Sequence, residues 1–215
     1  MRQSFVFLVL ILLLCSFCNG HYVVSVEKGG KALDFSANEL SYYLGKITGR
    51  QVSLSNNKRD SDIVLRVNNS LDCESYKVFD SWGKLYIEGG SERGCLYGVY
   101  ELLKELGCRW PLPGDQYEIV PAVENVKLST IKLSGKPAMN GRGIFYIPYN
   151  YQGNDLVELI DFMAKNGFNF LAMHAGPLPD KAIDLLAEEI GKRDMNFEWG
   201  GHFLPKCLPR ELFDK

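Results

Sequence analysis

The chain has 215 residues, with 24 Lys plus Arg against 26 Asp plus Glu, and is 46% hydrophobic and 12% aromatic. That apolar fraction excludes a disordered or collagen-like chain, and a net charge of −2 without a basic run argues against nucleic acid or an anionic membrane as partner. At roughly 100–200 residues per domain it holds one large or two small domains, and a complete eight-fold (β/α) barrel of about 250 residues does not fit beside a second domain.

Arg2 precedes an unbroken apolar run from Phe5 to Cys15. The run is too short for a bilayer-spanning helix of about 20 residues and suits a signal-peptide core. Cys18 and Gly20 put small residues at the −3 and −1 positions, so cleavage is expected before His21. A lipoprotein signal using Cys15 or Cys18 is the competing reading, and Leu14 and Phe17 stand where it favours a small residue. Residues 1–20 are therefore read as a signal peptide and the protein as exported, periplasmic or extracellular. No later segment is apolar enough to suggest membrane contact after cleavage. Cys73, Cys95, Cys108 and Cys207 remain. Export permits disulfides in three complete pairings, free buried thiols being the alternative, and the lack of a C-x-x-C argues against zinc. Asn68-Asn69-Ser70 is a glycosylation acceptor in a eukaryotic source.

Residues 21–133 read as a small α+β domain, a two-helix sandwich. Tyr22 to Val26 is a strand, closed by Lys28-Gly29-Gly30. Leu33, Ala37, Leu40, Leu44 and Ile47 recur at helical spacing, and Gly49 ends that helix. Gln51–Leu54 and Asp62–Val67 are short β runs, and Tyr76–Asp80 with Lys84–Glu88 flank Ser81-Trp82-Gly83 as a hairpin. A second helix from Ser91 to Leu106 buries Leu96, Val99, Leu103 and Leu106, with Gly107 as its left-handed stop. Strands near 117–120 and 126–132 complete the expected sheet.

Ser134-Gly135-Lys136-Pro137 reads as a linker into residues 137–215, where strand and helix alternate. Gly143–Ile147, Phe168–Met173 and Met195–Gly200 are strands, and Asp155–Lys165 and Pro179–Lys192 are helices. This order predicts a parallel sheet, the first three β/α units of an incomplete (β/α)8 barrel. The fold class is thus α/β.

In such units the functional groups sit on the C-terminal rim. His174 and His202 each follow a strand, Phe168–Met173 and one ending Trp199-Gly200-Gly201. A neutral imidazole accepts a sugar hydroxyl proton and a protonated one holds a carboxylate. Each is alternatively a scaffold histidine, and two without a third ligand are a weak metal signal. Trp199 suits stacking on a sugar or core packing. Arg142 begins the first of these strands, where a guanidinium grips hydroxyls or a carboxylate, or closes the barrel floor in a salt bridge. Tyr146, Tyr149 and Tyr151 crowd the next loop. Glu198 is the one carboxylate within the third strand, and no pair for glycoside hydrolysis is evident. No nucleotide-binding, metalloprotease or nucleophile-elbow motif occurs. No metal or cofactor is implied.

Glu92-Arg93-Gly94-Cys95-Leu96-Tyr97-Gly98-Val99-Tyr100-Glu101-Leu102-Leu103, with Leu106-Gly107-Cys108-Arg109-Trp110, resembles the N-terminal domain of α-glucuronidases and the domain preceding the barrel in family 20 β-hexosaminidases. Ser36–Leu44 with Thr48-Gly49 fits the same domain. Asn140-Gly141-Arg142-Gly143 through Met173-His174, then Trp199-Gly200-Gly201-His202-Phe203, is similar to the first three barrel strands of these enzymes. The resemblance is closest to a bacterial branch joining such a domain to a barrel, and it covers about residues 22–215. It implies an O-glycosyl hydrolase with carbohydrate as partner, in which Arg142 matches an arginine that holds substrate hydroxyls and His174, His202 and Trp199 line the sugar site. Ile147 stands where those enzymes carry an aspartate. Their Asp-Glu pair at the end of the fourth strand has no counterpart, so the catalytic acid is expected beyond Lys215 and the chain by itself is expected to be inactive. A non-catalytic carbohydrate-binding or cell-surface module is the alternative. The residues choose no sugar, linkage or oligomeric state.

Overall fold

The computed structural model describes residues 20–147, 153–174 and 180–200. The apolar leader up to residue 19, Tyr149, Tyr151, His202 and Cys207 lie outside them.

The first part is a six-stranded sheet with two helices. Its strands are β1 (Tyr22–Val26), β2 (Val52–Ser55), β3 (Ile63–Val67), β4 (Tyr76–Ser81), β5 (Lys84–Gly89) and β6 (Leu133–Gly135), in the order β2-β1-β3-β5-β4-β6. The first four of that order run parallel, and β4 is antiparallel to both neighbours. Alternation puts Val24, Ile63, Leu65, Val78, Leu85 and Ile87 on one face, each 0–1% exposed. Helices α1 (Lys31–Thr48) and α2 (Glu92–Glu105) supply the facing residues Leu33, Leu40, Leu44, Leu96, Val99 and Leu103.

Local chemistry fixes the ends of these elements. Gly49 takes φ 66° and returns its N–H to the Gly45 carbonyl, closing α1. The start of α1 has no side-chain cap of its own, because Gly30 stands there. Glu92, from the first turn of α2, accepts the N–H groups of Gly30, Ala32 and Leu33 instead. One carboxylate thus satisfies three orphan donors and ties the two helices. Ser91 caps α2 through the Gly94 N–H at 3.1 Å. Between β5 and α2 the backbone is so tight that a Cβ on Gly90 would lie 1.9 Å from the Asp72 carbonyl oxygen. The β4–β5 turn has Trp82 and Gly83 both at positive φ, 55° and 74°, the two-residue turn whose twist suits a hairpin.

The segment after α2 departs from expectation. The strands expected at 117–120 and 126–132 are single turns of 3-10 helix at Asp115–Tyr117 and Leu128–Thr130, with one isolated bridge between Arg109 and Ile119. The expected linker instead contributes Ser134 and Gly135 to β6, paired with Lys77 and Tyr76 of β4. Pro111, Pro113 and Pro121 keep this stretch out of a ladder, while Val120, Val123, Val126, Leu128 and Ile131 still pack on the core. Cys73, Cys95 and Cys108 are free thiols, Cys95 and Cys108 buried. Burial pushes Cys108 up to about 11. The Asn68 amide nitrogen donates to Glu88 at 2.9 Å, so the acceptor of the glycosylation motif is engaged.

The second part is a parallel sheet, β7 (Gly143–Tyr146), β8 (Phe170–His174) and β9 (Asn196–Gly200), in that order. Helices α3 (Gly153–Lys165) and α4 (Asp180–Gly191) follow the first two strands. Leu171 and Met173 are fully buried with Leu156, Ile160, Met163, Leu186 and Ile190. These residues belong to one hydrophobic cluster with the core of the first part. Among the described residues no helix is long and apolar enough to cross a membrane.

Candidate functional site

The register of the parallel sheet decides which side chains share a face. Phe145, Ala172 and Glu198 form one cross-strand row, and Tyr146, Met173 and Trp199 form the next. Successive residues of a strand point to opposite faces. The row with Met173 is the helix-covered side. The other side carries Phe145, Phe170, Ala172, His174, Asn196 and Glu198. It is open: Phe145 is 59% exposed, and Asn196 and Glu198 are exposed. Gly143 is required there, since a Cβ would lie 2.5 Å from the Phe170 ring that crosses it.

His174 closes β8 at the C-terminal end, paired with Gly200. Glu198 lies one strand across and two residues back on the same face, about 8 Å away at ordinary strand spacings. An imidazole and a carboxylate at that separation can each take a hydroxyl of one sugar ring. Sequence reasoning weighed Glu198 only as half of a missing pair, and the pairing register is the signal that places it beside His174.

Trp199 is not on this face. It lies in the Met173 row, in an edge-to-face contact with Phe197 at 5.9 Å. It is 36% exposed. Arg142 is at the wrong end. It is level with Asn169, whose side-chain oxygen accepts its N–H at 2.8 Å, and His174 lies five residues further along β8, about 16 Å away. The guanidinium is committed: it pairs with Glu74 at 3.0 Å and donates to the Gly167 carbonyl at 2.7 Å and the Tyr97 hydroxyl at 2.9 Å. This is the floor-closing role, and it binds the start of the barrel-type sheet to the first part. His202, the second expected rim histidine, lies outside the described residues.

Two buried polar clusters hold the open face in place. In the first, Glu74 is met by Arg93, Arg142 and Asn169, each at 2.9–3.0 Å. Burial alone would raise the Glu74 carboxyl, but those hydrogen bonds outweigh it and hold it below the usual range. Burial pushes Tyr97, over which Arg142 sits, up to about 12. In the second, Lys165 reaches Glu118 at 2.8 Å and also pairs with Asp161, while Glu118 accepts from Tyr43 and from Trp110 at 3.1 Å. Burial opposes the charge on Glu118, and the Lys165 and Tyr43 bonds overcome it, so this carboxyl too is held low. Among the described residues no group of three or more His, Cys, Asp or Glu could hold a metal ion.

No protein-family model matches the sequence, and no curated protein does. Solved structures do match in shape. A family GH115 4-O-methyl-α-glucuronidase with specificity for decorated arabinogalactans superposes with a TM-score of 0.65 at 15% identity, over 82% of this chain and 28% of that one. A GH138 enzyme targeting pectin rhamnogalacturonan II gives 0.64 at 19% identity, over 84% and 24%. The GH20 β-N-acetylhexosaminidase from Streptomyces coelicolor A3(2) gives 0.64 at 14% identity, over 85% and 42%. The fold is therefore glycoside hydrolase-like, an α/β domain leading into barrel-type β/α units. The likeness is spread over three families and selects no single branch. The chain spans 24% to 42% of the length of these structures.

Proposed function

We propose that the chain supplies the accessory α/β domain and the first three β/α units of an exported glycoside hydrolase-like protein that hydrolyses O-glycosidic bonds. The observation that carries this reading is the open sheet face ending in His174 and Glu198, on a fold shared with three kinds of glycoside hydrolase. In the proposal His174 and Glu198 receive sugar hydroxyls, and His202 joins them. Arg142 positions the sheet and does not touch substrate. Glycoside hydrolysis uses two carboxylates flanking the bond. Glu198 is the one carboxylate of this face among the described residues, so the proposal assigns the catalytic pair to later strands.

The test is release of p-nitrophenol from a panel of aryl glycosides by the protein purified from its native source. Turnover is expected on at least one sugar class. His174→Ala and Glu198→Gln are expected to lower kcat/KM by at least about 100-fold without moving the unfolding midpoint. A folded protein inert on every sugar class overturns the hydrolase reading. The lone carboxylate favours one second reading, a non-catalytic carbohydrate-binding module. Calorimetric titration that shows oligosaccharide binding without turnover identifies it. Export is tested by N-terminal sequencing: a start at His21 supports it, and an intact Met1 end contradicts it.

A further inference from the structure

The dipeptide Asn-Gly occurs at 19–20, 140–141 and 166–167, and the last two pairs lie within the described residues. A glycine after asparagine has no Cβ to keep its backbone nitrogen away from the asparagine side chain. The two pairs stand in different surroundings. Asn166 and Gly167 follow the last residue of α3 and are held in place. The Asn166 amide nitrogen donates to the Trp110 carbonyl at 3.1 Å and to the Phe162 carbonyl at 2.9 Å. The Gly167 N–H donates to the Ala164 carbonyl at 3.0 Å. Asn140 and Gly141 are both exposed, in the segment that joins the two parts. Neither the Asn140 side chain nor the Gly141 N–H has a hydrogen-bond partner among the described residues. A Cβ on Gly141 would meet nothing nearer than the Phe170 ring at 3.7 Å, so no neighbour crowds the link.

We propose that Asn140-Gly141 is a site of spontaneous deamidation through a cyclic imide, open to reaction here and shielded at Asn166-Gly167. The Gly141 backbone nitrogen gives up its proton and bonds to Cγ of Asn140. The bond from Cγ to the side-chain nitrogen breaks, and ammonia leaves with that proton. Water then opens the imide. Opening at the former side-chain carbonyl gives aspartate. Opening at the main-chain carbonyl gives isoaspartate, in which the chain runs through Cβ and Cγ and the old main-chain carbonyl is a carboxylate. That carbonyl has a job in this fold. It accepts from the Asn169 amide nitrogen at 2.5 Å and from Arg142 at 3.5 Å, beside the pair of Arg142 with Glu74 at 3.0 Å. Isoaspartate lengthens the main chain by a methylene and sets a second carboxylate against Glu74 for Arg142. The modification thereby loosens the clamp between the two parts at its exposed end. The chemistry is independent of the hydrolase reading.

The experiment is peptide mapping by mass spectrometry of the freshly purified native-length protein, aged in mildly alkaline buffer beside a sample held unfolded in guanidinium chloride. Isoaspartate is read by labelling with an isoaspartyl methyltransferase. In the folded protein conversion at Asn140 is expected to run at least about tenfold faster than at Asn166, where three hydrogen bonds must open first. In guanidinium chloride the two rates are expected to converge. Asn140→Gln, which keeps the main-chain carbonyl, is expected to abolish conversion at this site while the melting temperature holds. The isoaspartate form, separated by chromatography, is expected to melt lower than fresh protein and to exchange amide hydrogens faster over residues 139–146. Equal rates at the two sites in the folded protein overturn the proposal. So does an Asn140 that survives while the unfolded sample converts, and so does aspartate formed without isoaspartate. An isoaspartate form that matches fresh protein in melting and exchange overturns the loosening of the clamp.

Discussion

Removing Lys165 is the sharpest test of how the two parts are joined. Lys165 and Glu118 are 5% and 6% exposed, 2.8 Å apart, and come from α3 and from the segment after α2. Breaking a buried pair by deleting one partner costs about 3–5 kcal/mol, because the other charge is left without its counter-ion. Lys165→Met removes one of two cations from each of two carboxylates, since Glu118 keeps Lys46 at 3.7 Å and Asp161 keeps Arg193 at 2.7 Å, and the loss is placed at the low end of that range, about 3 kcal/mol. Glu118→Gln is milder, about 1–2 kcal/mol, since the amide oxygen still accepts from Tyr43 and Trp110 and Lys165 keeps Asp161. If the two charges act through each other, the double variant falls short of the sum by about 1–2 kcal/mol. Equilibrium urea unfolding reads this directly, provided the m-value is unchanged. Acid adds a second check. The Glu118 carboxyl is held below its unfolded value, so its contribution is complete above the ordinary carboxylate range and is lost as pH falls through the lowered value. The gap between wild type and Glu118→Gln should therefore close in acid. Additive single effects, within about 0.3 kcal/mol, would refute the coupling.

Other substitutions probe the local arguments. Glu92→Ala leaves three N–H groups of α1 without an acceptor and should cost about 2 kcal/mol in urea unfolding; a loss under about 0.5 kcal/mol would remove the capping role. Gly90→Ala drives a Cβ into backbone, and a loss above about 3 kcal/mol or failure to fold is expected, whereas wild-type stability would contradict the close approach. Trp82→Asn places a residue suited to positive φ in the hairpin turn, and a gain of about 0.5–1 kcal/mol in unfolding is expected. Glu39 is raised in the folded state by burial and then by the charge of Asp161, so its contribution is present below the unfolded carboxylate value and lost as pH rises through the folded one. Glu39→Gln should accordingly melt higher than wild type at pH 8, with the advantage shrinking toward pH 4, and the opposite order would reverse the sign argument.

Legibility in the sequence follows how local each signal is. The α1 stripe from Leu33 to Ile47, the Gly49 and Gly107 stops and the β4–β5 hairpin depend on neighbours a few residues apart, and all were readable from spacing. The apolar run at Phe168–Met173 likewise announced a parallel strand, which spans Phe170–His174 and buries only alternate residues. Irregular chain was misread where apolar residues mimic strands: Val120 to Ile131 packs on the core without a ladder, its pairing prevented by flanking prolines. Ser134 and Gly135 look like linker residues because a three-residue edge strand carries no alternation. At the candidate site, distance along the strand and side of the sheet were the missing quantities. Arg142 and His174 both flank strands, but only the register puts them at opposite ends, and only pairing with Met173 puts Trp199 on the opposite side of the sheet from His174.

The central claim, that residues 137–215 begin a barrel-type glycoside hydrolase-like domain, is tested most directly by the intact mass of the protein from its native source. The account predicts a polypeptide roughly several hundred residues longer than the mature chain, since a barrel alone takes about 250. A mass equal to residues 21–215 would contradict it.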